Sequence, residues 1–210
     1  MVRATNIFTA VSNMNSPRVH FTATPLADGT VLLAGGWNDF TPIEIVASAE
    51  LFDPLSGIFT LTGSMTIARS LQSATRLPDG TVLILGGSSR SGALGSVSSG
   101  ELYDPASGAF HSAGTLKVAR DSHSATLLPN GKVLVAGGVT GFFDDDGLPD
   151  RFVSWTTELF APSAGSSAFA GSLETERVAH TATLLNDGRV LVTGGIDNTG
   201  APLKSAELYK

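Results

Sequence analysis

An apolar run closed by a pair of glycines occurs four times in this 210-residue chain. The copies are Val31-Leu32-Leu33-Ala34-Gly35-Gly36, Val82-Leu83-Ile84-Leu85-Gly86-Gly87, Val133-Leu134-Val135-Ala136-Gly137-Gly138 and Val190-Leu191-Val192-Thr193-Gly194-Gly195, spaced by 51, 51 and 57 residues. A repeat of about fifty residues means that one supersecondary unit is built several times and stacked. An Ala-Thr pair precedes each run: Ala23-Thr24, Ala74-Thr75, Ala125-Thr126 and Ala182-Thr183. Between pair and run lies Asp28-Gly29, Asp79-Gly80, Asn130-Gly131 or Asp187-Gly188. Asp-Gly and Asn-Gly between apolar segments signal a hairpin, and the two-residue form needs positive φ at both central residues.

A third strand follows each glycine pair, at Ala49–Phe52, Gly100–Tyr103, Thr157–Phe160 and Ala206–Tyr209. A turn such as Asp53-Pro54-Leu55-Ser56-Gly57 then leads to a short fourth strand around Phe59, Phe110 and Phe169. Phe8 belongs to this series, 51 residues before Phe59. Each unit therefore reads as four antiparallel strands, A to D, with no sustained helical period. Such a sheet cannot cover both faces alone, so stacking must bury them.

The Gly-Gly pair, the Glu-Leu-Tyr/Phe third strand and the aromatic fourth strand resemble the kelch repeat, over nearly the whole chain. Phe59, Phe110 and Phe169 stand where that family usually has Trp. The resemblance implies an all-β fold, a kelch-type β-propeller with four four-stranded antiparallel blades. The blades are expected at 18–59, 69–110, 120–169 and 177–210, with 6–11 completing the last. Three readings of the ring stay open: four blades closed on themselves, half of an eight-bladed ring made by a homodimer, or a piece of a longer protein.

Composition excludes several classes. Lys and Arg number 13 against 19 Asp and Glu, a net charge of -6 with no basic cluster, which argues against nucleic acid. With no cysteine there are no disulfides, thiolate metal sites or cysteine nucleophiles. The longest apolar runs are too short for a helical membrane span, and Met1–Val11 lacks the apolar stretch of a secretory signal. An extracytoplasmic or secreted setting is favoured, although the compartment stays open.

Strand order sorts the loops onto two faces. The A–B and C–D turns are short and alike. The B–C loops on the other face vary (37–48, 88–99, 139–156 and 196–205), and function sits on variable loops held by a rigid scaffold. The candidates there are Trp37, Asn38, Asp39, Phe40, Arg90, Phe142, Phe143, Arg151, Trp155, Asp197 and Asn198, types that suit protein or glycan contacts. The longest of these loops resembles part of a calcium loop, with Asp144, Asp146 and Asp150 around Gly147. Phe142 and Val153 stand where further ligands are needed, so a solvated acidic loop is the preferred reading and no cofactor is expected.

Four Arg residues before strand A (Arg18, Arg69, Arg120, Arg177) match four Glu residues of strand C (Glu50, Glu101, Glu158, Glu207). Equal copy number favours buried structural pairs over an anion site. His123 and His180 are also repeat-equivalent, with Phe21 and Gln72 in the other copies, which favours a structural role over a metal ring. No nucleophile, phosphate loop or catalytic carboxylate pair stands out. Copper chemistry of the galactose-oxidase kind is excluded, because it needs a Cys–Tyr cross-link. The expected function is a non-catalytic module that contacts a protein or glycan through its B–C face. The alternatives are a sugar-acting kelch enzyme resembling mutarotases and a purely structural assembly unit.

Overall fold

A computed structural model describes residues 8–38, 44–89, 95–143 and 149–210. The chain is all-β, with one 3-10 turn at Pro162–Ala164 and no α-helix among the described residues. Unit 1 comprises β1 (Thr22–Pro25), β2 (Val31–Ala34), β3 (Ala49–Asp53) and β4 (Ile58–Leu61). Unit 2 holds β5 (Ser73–Arg76), β6 (Val82–Leu85), β7 (Ser99–Asp104) and β8 (Ala109–Thr115). Unit 3 runs β9 (Ser124–Leu127), β10 (Val133–Ala136), an inserted hairpin β11 (Val139–Phe143) and β12 (Pro149–Val153), then β13 (Thr156–Ala161) and β14 (Ser166–Ser172). Unit 4 has β15 (Thr181–Leu184), β16 (Val190–Thr193) and β17 (Ala206–Tyr209).

Within each unit the strands pair antiparallel in chain order, apart from the inserted hairpin. One parallel bridge, Ser166 to Thr115, links β14 to β8 and makes units 2 and 3 an eight-stranded sheet. Its two ends, β5 and β9, lie against each other, so this sheet is nearly closed. The first strands stack in series: β1 on β5, β5 on β9 and β9 on β15. No comparable contact brings β15 back to β1.

The second strand of each unit shows why its run is apolar throughout rather than alternating. In β6, Val82 and Ile84 join the cluster shared with unit 1, while Leu83 and Leu85 join the cluster shared with unit 3. All four are at most 1% exposed, because both sheet faces are covered. Units 3 and 4 meet around Leu134, Val190 and Val192. Each such side chain stabilises by about 1.5–3 kcal/mol on burial.

The turns differ from the two-residue form. Among the Asp-Gly and Asn-Gly pairs only the glycine has positive φ, for example +91° at Gly29. Leu26 N–H donates to Thr30 O at 2.8 Å and Gly29 N–H to Leu26 O at 3.3 Å. That is a tight turn followed by a left-handed glycine, and the Asp28 carboxylate accepts the Thr30 N–H at 2.9 Å instead of entering the left-handed region itself.

Two features of unit 3 also depart from expectation. The stretch 139–156 contains the β11–β12 hairpin rather than irregular loop alone. In the fourth strand, Ser167 faces Phe160, the register that Phe59 takes against Phe52 and Phe110 against Tyr103. Phe169 faces Glu158 and is 61% exposed. Ser167 takes the inner position because its hydroxyl donates to the Glu158 carboxylate at 2.5 Å. Of the segment 6–11, residues 6 and 7 lie outside the described residues. Phe8 is exposed, and β17 carries no fourth strand among the described residues.

Candidate functional site

The repeated Arg and Glu residues pair with each other inside the units. Arg18, Arg69, Arg120 and Arg177 are buried and reach Glu50, Glu101, Glu158 and Glu207 at 2.7, 2.9, 2.8 and 2.6 Å. Every pair lies within one unit. In unit 3, Arg120 also donates to Gly137 O and Thr156 O, while Glu158 accepts the backbone N–H groups of Lys117 and Val118 at 2.6 and 3.1 Å. The pair thus clamps the link entering strand A onto the second and third strands. Burial depresses the pKa of Arg69 and Arg120, against the pull of their carboxylates.

Just after each Arg sits a residue in the left-handed region that is not glycine: His20, Leu71, Ser122 and Ala179, with φ between 53° and 56°. Leu71 N–H donates to His20 O at 3.1 Å and Ser122 N–H to Leu71 O at 2.9 Å, so three of these residues tie units 1, 2 and 3 together. No sequence signal marked them, because their identities differ while their backbone does not. The next position carries the histidines. His123 Nε2 lies 2.9 Å from Ser73 Oγ and His180 Nε2 lies 2.9 Å from Ser124 Oγ, each across a unit boundary. Burial and the neighbouring arginines push their pKa down, to about 3 for His123 and about 4 for His180. Both rings therefore sit neutral at unit boundaries. Among the described residues no group of three or more His, Asp or Glu is placed so that it could hold a metal ion.

The variable face is uneven. Trp37 is half-buried and rests on His20 with ring centres 4.6 Å apart. Asn38 is bound to Glu44 at 3.0 Å, and Asp197 accepts from Thr199 and Ala201 within its own turn. The Thr199 hydroxyl and the Ala201 and Thr199 N–H groups hold the Asp197 carboxyl below its usual range, against the effect of burial. Asp39, Phe40, Arg90, Asp144 and Asp146 lie outside the described residues, as do the side chains of Phe142, Phe143, Asp150 and Arg151. Their backbones place Phe142 opposite Asp150 and Gly141 opposite Arg151 on the inserted hairpin.

Trp155 and Asn198 do come together. A cavity of about 280 Å³ lies between units 3 and 4, lined by Trp155, Phe152, Asn198, Glu176, Thr140 and Val118 among others. Trp155 is 56% exposed, and Asn198 is fixed by accepting the Val153 N–H at 3.1 Å. Glu176 and Phe152 were not singled out from sequence. A signal existed for Glu176: the residue before the repeated Arg is Pro17, Ala68 and Ala119 in the other units. Trp155 likewise stands where the other units have Ala47, Ser98 and Lys204.

A larger groove of about 520 Å³ opens on the other face between units 2 and 3, lined by turn residues such as Pro78, Asp79, Asn130 and Lys132. Two of its polar side chains are committed to their turns, Asp79 accepting from the Thr81 N–H and Asn130 from the Lys132 N–H. It lacks the exposed aromatic ring that distinguishes the smaller cavity. No helix among the described residues is long and apolar enough to cross a membrane. No family model matches the chain, and no curated protein is significantly similar to it.

Proposed function

We propose that the chain is a non-catalytic β-propeller module of kelch type that binds a glycan in the cavity between units 3 and 4. Four repeats with the same strand order, stacked through their first strands, support the propeller reading. The observation that carries the function is Trp155, more than half exposed over a cavity of about 280 Å³. A sugar presents C–H groups on one face and hydroxyls at its rim. An exposed indole suits the first. Glu176 suits the second as an acceptor, and Asn198, whose oxygen holds the Val153 N–H, suits it as a donor through Nδ2.

One carboxylate among the lining residues fits binding rather than glycoside hydrolysis, which needs two across the bond. The scaffold also fits a fixed receptor site, because the Arg–Glu clamps hold the connections on either side of Trp155. Calorimetric titration with oligosaccharides, guided by a glycan array, tests the reading. Binding to the wild-type protein is expected to be lost in Trp155→Ala and weakened about tenfold or more in Glu176→Gln, a loss of one charge-assisted hydrogen bond. Binding of an extended peptide but no glycan at the same cavity overturns the ligand class.

A further inference from the structure

We propose that unit 4 docks on unit 1 of a second copy of this chain, repeating the interface that joins its own units, and that two copies thereby close a ring of eight. The three internal interfaces share one set of bonds. Gly36, Gly87 and Gly138 donate their N–H to the carbonyls of Arg69, Arg120 and Arg177 in the next unit, at 2.8, 2.9 and 2.9 Å. The equivalent donor in unit 4, Gly195 N–H, and the equivalent acceptor in unit 1, Arg18 O, have no such backbone partner among the described residues. The glycine before each donor is pressed on the same carbonyl. A Cβ on Gly35, Gly86 or Gly137 would come within 2.4–2.5 Å of it, whereas on Gly194 nothing is nearer than Leu203 O at 3.7 Å.

The apolar faces are complementary in the same way. Val82 and Tyr103, at 0% exposure, turn from unit 2 toward unit 1. The same positions in unit 1, Val31 and Phe52, are only partly buried and face no unit. On the far side of unit 4, Leu191 is partly exposed where its counterpart Leu83 is fully buried.

The start of the described chain fits the same arrangement. Ser12 N–H reaches Gly57 O at 3.0 Å and Asn15 N–H reaches Glu50 Oε2 at 2.7 Å. Gly63 N–H to Gly108 O at 2.9 Å and Thr66 N–H to Glu101 Oε2 at 2.7 Å are the same bonds one unit on. Residues 8–11 therefore stand where the fourth strand of a unit preceding unit 1 belongs, and Phe8 is fully exposed. Among the described residues unit 4 has no such strand, and beside its Tyr209 lies a cavity of about 350 Å³ lined by Leu134, Ala136 and Ala170. In unit 2 the corresponding ring, Tyr103, is met by Phe110 at 4.9 Å. Phe8 of one copy fills the cavity of the other. β15 does not lie against β1 of its own chain, so both surfaces are open to the same interface with a second copy. An interface made of two different patches ends only by closing a ring.

Light scattering on the purified chain at micromolar concentration tests the proposal. The expected mass is twice that of one chain, halved by Gly194→Ala and retained in Gly80→Ala. Gly80 has a similar positive φ with nothing near its Cβ position, so it controls for backbone strain. Phe8→Asp, which alters an exposed side chain of a single copy, is also expected to halve the mass while the far-UV spectrum stays strand-rich. A wild-type mass of one chain overturns the proposal, and so does a mass of three or more. A dimer that survives both Gly194→Ala and Phe8→Asp does the same.

Discussion

Acidification from pH 7 to pH 5 is expected to weaken the fold through its two interface histidines. His123 sits between units 2 and 3, with Nε2 on Ser73 Oγ and Nδ1 buried without a partner among the described residues. A proton on that ring would place a cation beside Arg120 with no acceptor for the new N–H. Its folded pKa, about 3, lies below the unfolded value near 6.5, so the unfolded chain takes up the proton first. The contribution is complete above pH 6.5 and drains away as pH falls toward 3. At about 1.4 kcal/mol per pH unit, the step from pH 7 to pH 5 removes about 2 kcal/mol. His180, with a folded value of about 4, loses a similar amount over the same step. Urea unfolding at fixed protein concentration, followed by tryptophan fluorescence, measures the sum. His123→Gln supplies the control, because Gln72 holds the equivalent place in unit 2 and donates to Ala34 O at 2.8 Å. The variant is expected to lose about half of the pH dependence and none of the stability at pH 5. A wild-type midpoint that does not move between pH 7 and pH 5 would refute the reasoning, as would a variant that keeps the whole slope.

Other substitutions probe the same scaffold. Arg120→Ala leaves the Glu158 carboxylate buried without its cation, so chemical denaturation should show a loss of about 3–5 kcal/mol. Gly86→Ala drives a Cβ to 2.5 Å from Arg120 O at a positive φ; little folded protein is expected by circular dichroism at temperatures where Gly80→Ala is intact. Ala179→Gly removes a left-handed alanine and is expected to raise stability by about 0.5–1 kcal/mol, read from the denaturation midpoint. A neutral or destabilising result there would mean that the conformation costs nothing in its setting.

The units and their second and third strands were legible because both carry a hard constraint. Val82–Leu85 is apolar at every position since each face meets another unit, and a side chain at Gly86 would strike the Arg120 carbonyl of the next unit while one at Gly87 would strike Ser70 of its own. The Arg–Glu clamps were legible for the same reason, one copy per unit. Local competition was harder to read. Ser167 displaces Phe169 from the inner register by bonding Glu158, a contact nine residues apart that no aromatic periodicity reveals. The left-handed positions were hidden because tertiary bonds, such as Ser122 N–H to Leu71 O, impose the backbone on whatever residue is present. The candidate cavity was half visible. Trp155 and Asn198 stood out as loop residues, but Glu176 lies in a link that reads as a plain connection. Only the packing of unit 4 on unit 3 sets it beside them.

The chain has two tryptophans, which allows the binding site to report on itself. In a Trp37→Phe background the emission comes from Trp155 alone. Titration with neutral, acidic and amino-sugar oligosaccharides is predicted to give a saturable change in that emission for at least one class, shifted about tenfold or more to higher concentration by Glu176→Gln, in step with the calorimetric signal. Emission that stays constant across all three classes at millimolar concentration would contradict the assignment of this cavity as a glycan site.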